Sequence, residues 1–496
     1  MNLNSLQNDR AAGVLVTLAA GDALGAGYEF GPALPDSTPV SMKGGGPFGF
    51  APAEWTDDTS MAIVIAESLL EAAGDGRGLD ERTKGAMAQA WSEWARGAKD
   101  VGVQTSSVLG RARQAAATSG RSAITAADAY AASKQGHLSS GRSGGNGSLM
   151  RTAPLALAFL GAAPEALRDA ALEVSALTHF DPEAGEACAL WCLAIRLAVL
   201  TGELDIRTGL EILPEDRAAV WTGRIEAAEA KFPRDFTRNG WVVEAFQAAW
   251  SAITTTAGAA SGPAHLRAAL EAAVRGGNDT DTVAAIAGGL LGAAYGYTAV
   301  PFEWRRRLHG WPGYTACDLQ RLALQLARGK GRTEGSWPDL PVFDNSAYIS
   351  PTRTDVVEHP LDSGVLLGGA PALSRTDYDA VVSLSRVGTA ETHVDPADHA
   401  SFWLLDEAHA EANAHLDFVL QEAAAAVALF RSEGKRVLLH CVRMESRTPT
   451  VAALYGALIT GMAPEEALDK VREVLPNANP NRGFRQALRG LAQDRQ

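Results

Sequence analysis

The chain is poor in cysteine. Its four cysteines, Cys188, Cys192, Cys317 and Cys441, stand among 496 residues. They are too few and too scattered for a disulfide framework, which points to a reducing compartment, the cytoplasm. Cationic excess is also missing: the formal net charge is −14 at pH 7. A general nucleic-acid binder needs a basic face for the phosphate backbone, so that class is excluded. A phosphate-bearing small molecule is not excluded, because backbone N–H groups and one or two cations can hold it. The apolar runs are Ala- and Gly-rich and are broken by charges before about 20 residues, so no membrane span is expected. The opening MNLNSLQNDRAAG lacks a basic segment followed by an apolar one, so no secretory signal is expected.

With 46% apolar residues the chain reads as globular, with room for two or three domains of about 100–200 residues each. Residues 9 to about 330 read as nearly all helix. Apolar positions recur every three and four residues in VLVTLAAGDALGAGY, SMAIVIAESLLEAA, CALWCLAIRLAVL and TVAAIAGGLLGAAYG. Cys188 and Cys192 lie four apart on one such helix with no further ligands beside them, a core pattern. Residues 331–353 are rich in Pro, Ser and Gly without periodicity and read as a linker. Beyond them SGVLLGG, DAVVSLS and KRVLLHC alternate with helical stretches, the pattern of a small α/β domain. The expected organisation is an all-α domain over 1–332, a linker over 333–353 and an α/β domain over 354–496.

Two segments carry more oxygen ligands than a helix start needs. In EWTDDTS, Thr56, Asp57, Asp58, Thr59 and Ser60 run into an apolar helix. One of these oxygens is expected to cap that helix, and acids there suit the helix dipole. Capping does not account for two adjacent acids. NDTDT repeats the pattern with Asp279, Asp281 and Thr282. Carboxylates converging on one place need a cation, and an all-oxygen set selects Mg²⁺, Mn²⁺ or Ca²⁺ over zinc. Glu29, after GDALGAGY, is a further candidate ligand.

Together GDALG…YE, WTDDT, GNGSLMR, ALTHFDP, GWVVEAFQAAW and GGNDTDTVAAIAGGLLGA resemble the ADP-ribosylglycohydrolases of the dinitrogenase-reductase-activating type, in the family's order, over about residues 9–325. The resemblance implies an all-α fold, two Mg²⁺ or Mn²⁺ ions, and hydrolysis of the bond between ADP-ribose C1″ and an acceptor, a modified protein or small molecule. It makes Thr56, Asp57 and Asp58 one ligand set and Asp279, Asp281 and Thr282 the other, with Glu29 added. Glu29 and Asp100 become the acid–base candidates. Asp100, in WARGAKDVGVQT, resembles a segment of the arginine-specific branch and could hold a guanidinium bidentately. Gly145, Asn146, Gly147 and Ser148 become a diphosphate loop, assisted by His179, and Trp241 a pocket wall. Serine-linked, O-acyl-linked and phosphorylated ADP-ribose stay open, as does an inert reader of ADP-ribose and phosphate.

In VLLHCVRMESRTPT, Cys441 is followed six residues on by Arg447, then Thr448. This resembles the loop of cysteine-dependent dual-specificity phosphatases, over about residues 355–490. The resemblance implies Cys441 as nucleophile, Arg447 as phosphate clamp, Thr448 as stabiliser of the thiolate, Asp406 as general acid, and a phosphate-bearing ligand. Met444 stands where the family has Gly, and Glu445 follows it. Both put turnover by this loop in question, because Gly permits close backbone approach and an acid opposes phosphate.

Overall fold

The computed structural model describes residues 2–329, 338, 340–348, 355–409 and 412–493. The chain divides into two compact units, Met1–Val300 with Arg307–Arg332, and Pro301–Arg306 with Thr333–Gln496. Most of the expected linker, 333–353, lies outside the described residues.

The first unit is helical; among its described residues the strands are the short antiparallel pair His309–Gly310 and Tyr314–Thr315. Its central element is the helix Ser5–Gly25, started by a reciprocal cap between Asn4 and Gln7. Residues Ala11 to Gly25 are all buried, each large aliphatic side chain contributing about 1.5–3 kcal/mol. This helix runs antiparallel to Thr280–Tyr295 at backbone contact. A Cβ on Gly13 would stand 2.4 Å from the Gly292 oxygen, and one on Gly21 2.1 Å from the Ala284 oxygen. At the far end a Cβ on Gly25 would stand 2.4 Å from the Asp281 nitrogen. The small residues of both segments are thus the contact surface, and they bring the end of the first helix to the start of the other.

The helix Pro182–Thr201 is long and apolar enough to cross a membrane by length and composition, contrary to the expectation above. It is mostly buried, with Ala184 to Ile195 enclosed on every side, as for a core helix. Cys188 and Cys192 lie in this core.

The second unit holds a five-stranded sheet in the order Val356–His359, Asp362–Gly368, Val437–His440, Ala380–Ser383, His399–Ser401. The first pair is antiparallel and the others are parallel. Val365, Leu367, Val437 and Leu439 face one core with the helices Leu416–Ser432 and Arg447–Thr460. Leu366, Leu438 and Val381 face another, formed with Leu373 and Tyr378. Burial on both faces is why these strands read as continuous apolar runs. The edge strands Val356–His359 and His399–Ser401 have mixed sequences and carried no such signal. Phe302 joins this core, which is why Pro301–Arg306 belongs to the second unit.

Gly21→Ala is expected to destabilise the first unit by about 1–3 kcal/mol, because the added methyl meets backbone. A lowered denaturant midpoint would report it; an unchanged midpoint would show that the two helices do not touch as described.

Candidate functional site

The contact between Ser5–Gly25 and Thr280–Tyr295 gathers acids from distant segments. Oxygens of Asp22, Asp58 and Asp281 lie within 4.8 Å of one another, and so do oxygens of Glu29, Asp279 and Asp281. The Thr280 hydroxyl ties the two elements by donating to the Gly25 carbonyl at 2.9 Å. Glu29 is pinned by a bridge between its neighbours and the 277–279 turn. The Phe30 N–H donates to the Asn278 oxygen at 2.6 Å, and the Asn278 N–H to the Gly31 oxygen at 2.8 Å. Phe30 and Asn278 both hold left-handed backbone, φ 57 and φ 61, a cost that non-glycine residues carry mostly at functional sites.

The expectation that EWTDDTS caps its own helix is overturned. Thr56 makes no side-chain capping bond to the helix Asp57–Gly74. The cap is Asp22, from the last turn of the first helix. One of its oxygens accepts from the Thr56 N–H at 2.8 Å; the other accepts from the Thr59 N–H at 3.0 Å and the Thr59 hydroxyl at 2.6 Å. The local acids are therefore not consumed by capping, and the Thr56 hydroxyl donates to Asp58 at 2.9 Å. The start of the Thr280 helix likewise has no side-chain cap of its own. Asp22 was missed as a site residue, although an aspartate inside the apolar run of GDALG was the available signal: a charge buried there requires partners.

Every acid of the cluster is shifted toward its protonated form. Burial, then the charges of Asp279, Asp100 and Asp57, pushes Glu29 up to about 9. Burial raises Asp57, Asp58 and Asp281 well above the usual range, with the neighbouring acids adding to it. Asp279 is raised by burial too. Asp22 reaches about 6 by burial, held down by its bonds from Thr59 and Thr56. An Asp58 oxygen, Oδ1, and a Glu29 oxygen, Oε2, are buried without a hydrogen-bond partner. Two orphaned carboxyl oxygens from different chain segments, in a cluster of acids with no sulfur or imidazole among its grouped ligands, fit a hard divalent cation. The Thr282 N–H is taken by its neighbour Asp281 at 2.9 Å.

Asp100 enters from the segment before the helix Val103–Thr118. It lies near enough to raise Glu29 and Asp57, and is itself raised to about 6 by burial and then by Asp279. The Gly102 backbone, on the same segment, partly offsets the upward shift of Asp57. Lys99, beside Asp100, is ion-paired to Glu54 at 2.6 Å, next to the EWTDDTS start.

The Gly145–Ser148 loop closes another side. Here two side chains turn inward. The Asn146 amide donates to Asp279 at 2.7 Å and to the Asn239 carbonyl at 2.9 Å, so it orients an acid of the cluster. The Ser148 hydroxyl is buried and accepts from Ser175 at 2.9 Å. The expectation for the loop therefore narrows to its backbone. His179 packs against it: a Cβ on Gly147 would stand 3.2 Å from His179 Nε2. Trp241 pairs with Gly145 in an antiparallel bridge, and its indole would be 3.3 Å from a Cβ on Gly144. Trp241 thus borders the loop, half-buried.

In the second unit the central strand Val437–His440 delivers Cys441 to the start of Arg447–Thr460. Cys441 is buried, and its Sγ accepts from the Met444 N–H at 3.3 Å. Met444 takes the left-handed φ of 61 that Gly would hold freely, at about 1–2 kcal/mol. Glu445 is ion-paired to Arg443 at 3.1 Å, which offsets its charge. Arg447 Nη1 donates to the carbonyls of Leu384 at 3.1 Å and Leu404 at 2.9 Å. Its Nε and the Thr448 hydroxyl are buried without partners. Asp406 stands beside the loop, accepting from Ser446 at 2.6 Å and Asn481 at 2.8 Å.

A family model described as ADP-ribosylglycohydrolase matches residues 3–335. The ADP-ribosylarginine hydrolase Tri1 of Pseudomonas putida (strain GB-1) is 33% identical over 322 residues, 64% of this chain and 78% of that one. A solved structure described as an ADP-ribosylglycohydrolase-related protein complex is similar at a TM-score of 0.51 and 30% identity, over 66% of this chain and 99% of its own. Toward the C-terminus, dual specificity protein phosphatase 1 of Arabidopsis thaliana is 26% identical over 145 residues, 29% of this chain and 73% of that relative.

With divalent ions removed, the stability of the first unit is expected to fall as pH rises from 7 toward 9. In that window folded Glu29, at about 9, keeps a proton that the unfolded chain, near 4.5, has lost, so deprotonation favours unfolding. Buried histidines titrate below this window. Mg²⁺ or Mn²⁺ is expected to flatten the slope, which chemical denaturation at several pH values would measure. A flat metal-free profile would show that these carboxylates already have a counter-charge.

Proposed function

The chain belongs to the ADP-ribosylglycohydrolase family, and from that premise we propose that its first unit hydrolyses the bond joining ADP-ribose to an arginine side chain. The observation that carries the reading is the cluster itself. Two helix starts, each capped or tied by groups from elsewhere, present carboxylates within ligand distance of one another, and Asp58 Oδ1 and Glu29 Oε2 among them have no hydrogen-bond partner. Thr56, Asp57 and Asp58 would hold one Mg²⁺ or Mn²⁺, and Asp279, Asp281 and Thr282 the other, with Glu29 as a further ligand; Asp281 is common to both groups of converging acids. Bound there, such ions orient ribose hydroxyls and lower the pKa of a water.

The protein's own groups then divide the work. Asn146 holds Asp279 in place by its amide N–H. Glu29 takes the proton of the attacking water as the C1″ bond opens through an oxocarbenium-like state. Asp100, as a carboxylate, holds the guanidinium of the acceptor; that group leaves with the electron pair of the C1″–N bond and takes up the proton that Glu29 gained from water. Asp100 favours arginine over serine or an O-acyl ester as acceptor, and the named activity of the Pseudomonas putida relative runs the same way. The substrate would be an ADP-ribosylated protein or small molecule in the cytoplasm.

For the second unit we read the Cys441 loop as a phosphate-binding site able to turn over. The specific support is the pair of buried, partnerless groups, Arg447 Nε and the Thr448 hydroxyl, beside a cysteine at a helix start. A phosphorylated ADP-ribose would use both units.

Incubated with Mn²⁺ or Mg²⁺ and ADP-ribosyl-arginine, the protein is expected to release ADP-ribose. Asp279→Asn should lower kcat at least about 100-fold, as for loss of a ligand or its orientation. No release by the unaltered protein, or an unaffected variant, would defeat the glycohydrolase reading. Separately, p-nitrophenyl phosphate should be cleaved by the unaltered protein and not by Cys441→Ser; equal rates would leave the second unit as a reader of phosphate.

A further inference from the structure

The strongest remaining feature is a buried cation with no carboxylate bound to it. Arg151 is 0% exposed. Its guanidinium lies 3.9 Å from the centre of the Trp91 ring. Nη1 meets only the Met61 sulfur, at 3.5 Å, and Nε has no partner. Nη2 makes the one strong bond, donating to the Thr178 hydroxyl at 2.6 Å. That hydroxyl lies 2.7 Å from His179 Nδ1.

The directions follow from valence. Arginine can only donate, so Thr178 accepts from it. The threonine proton is then left for Nδ1, the remaining acceptor among the described contacts. With Nδ1 accepting, the ring proton sits on Nε2. Burial holds the imidazole well below its ordinary pKa, so it is neutral. No protein acceptor lies at Nε2 among the described residues, and this ring edge faces Gly145 and Gly147. The Gln104 amide fixes the surroundings by donating to Ser143 at 2.8 Å and to the Thr178 carbonyl at 3.0 Å. A Cβ at Gly145 or Gly147 would stand 3.2–3.3 Å from His179 Nε2, so those glycines leave the edge open.

We propose that Arg151, Thr178 and His179 form a relay that fixes the imidazole as an N–H donor at Nε2, aimed at an anionic oxygen held along the Gly145–Gly147 backbone. Arg151 and Thr178 are positioning residues that never touch the ligand. The relay brings the effect of a positive charge to the anion while the guanidinium stays dry. The identity of that anion as the diphosphate of ADP-ribose rests on the function proposed above.

The test uses the full chain with ¹⁵N-labelled histidine, the His179 signal being assigned by its loss in His179→Gln. The unaltered protein should show the Nε2–H tautomer. Thr178→Val should give a tautomer mixture and, with Mg²⁺ present, bind ADP-ribose about 5–10-fold more weakly, the effect of one hydrogen bond. Thr178→Ser should restore both. An Nδ1–H tautomer in the unaltered protein would overturn the relay, and so would a Thr178→Val protein with unchanged tautomer and affinity. If Thr178→Val does not fold, the tautomer of the unaltered protein and Thr178→Ser decides. Absence of ADP-ribose binding by the unaltered protein would count against the proposed ligand, while the tautomer signal would still judge the relay.

Discussion

The first unit depends on the backbone contact between Ser5–Gly25 and Thr280–Tyr295. Glycines on both helices remove the side chains that would hold them apart: Gly13 and Gly292 face each other, Gly21 meets the Ala284 backbone and Gly288 the Thr17 backbone. Because the helices run antiparallel, the end of one meets the beginning of the other. Asp22 thereby reaches Asp281, and Glu29 reaches Asp279 and Asp281, from 250 or more residues away in sequence. Widening this contact by a methyl group would move carboxylates whose value lies in their mutual distance.

The second constraint is electrostatic. Like charges in a buried place repel, and burial adds to the cost of each. The chain accepts this at one location and removes the usual local outlets. Asp22 caps the Asp57 helix from outside, so Asp57 and Asp58 are not drawn to their own backbone. Asn146 and Asn239 orient the start of the other helix, Asn146 through Asp279 and Asn239 through the Asp279 N–H. What is left is a set of buried carboxyl oxygens with no cationic side chain ion-paired to them among the described residues. Arg151, the buried cation nearby, is kept for Thr178 and His179.

The second unit solves a different problem, gathering donors around a sulfur. A sheet buried on both faces fixes the strand that carries Cys441, and the next helix begins within six residues. Arg447 is anchored by two carbonyls, which sets its guanidinium plane while leaving Nε without a partner. Met444 shows that the loop keeps its left-handed turn even without glycine, and Arg443 answers the charge of Glu445.

Much of this was legible in the sequence. Helical periodicity gave the first unit, and three apolar runs gave the inner strands of the second. The doubled acids of EWTDDTS and NDTDT marked the cluster, because acids beyond the needs of capping are conspicuous in composition. The edge strands were not legible, since an edge need not be apolar. Nor was the role of Asp22, or the inward turn of Asn146 and Ser148, or the link from Arg151 to His179. These are statements about partners far apart in the chain. By itself, then, the sequence determined which residues could serve as oxygen ligands, donors and nucleophile, because that is a matter of side-chain chemistry. Only the tertiary structure decided which of them are free to serve. A hydrogen-bonding group is free or committed according to what lies within about 3 Å of it, and packing, not local order, sets that neighbourhood.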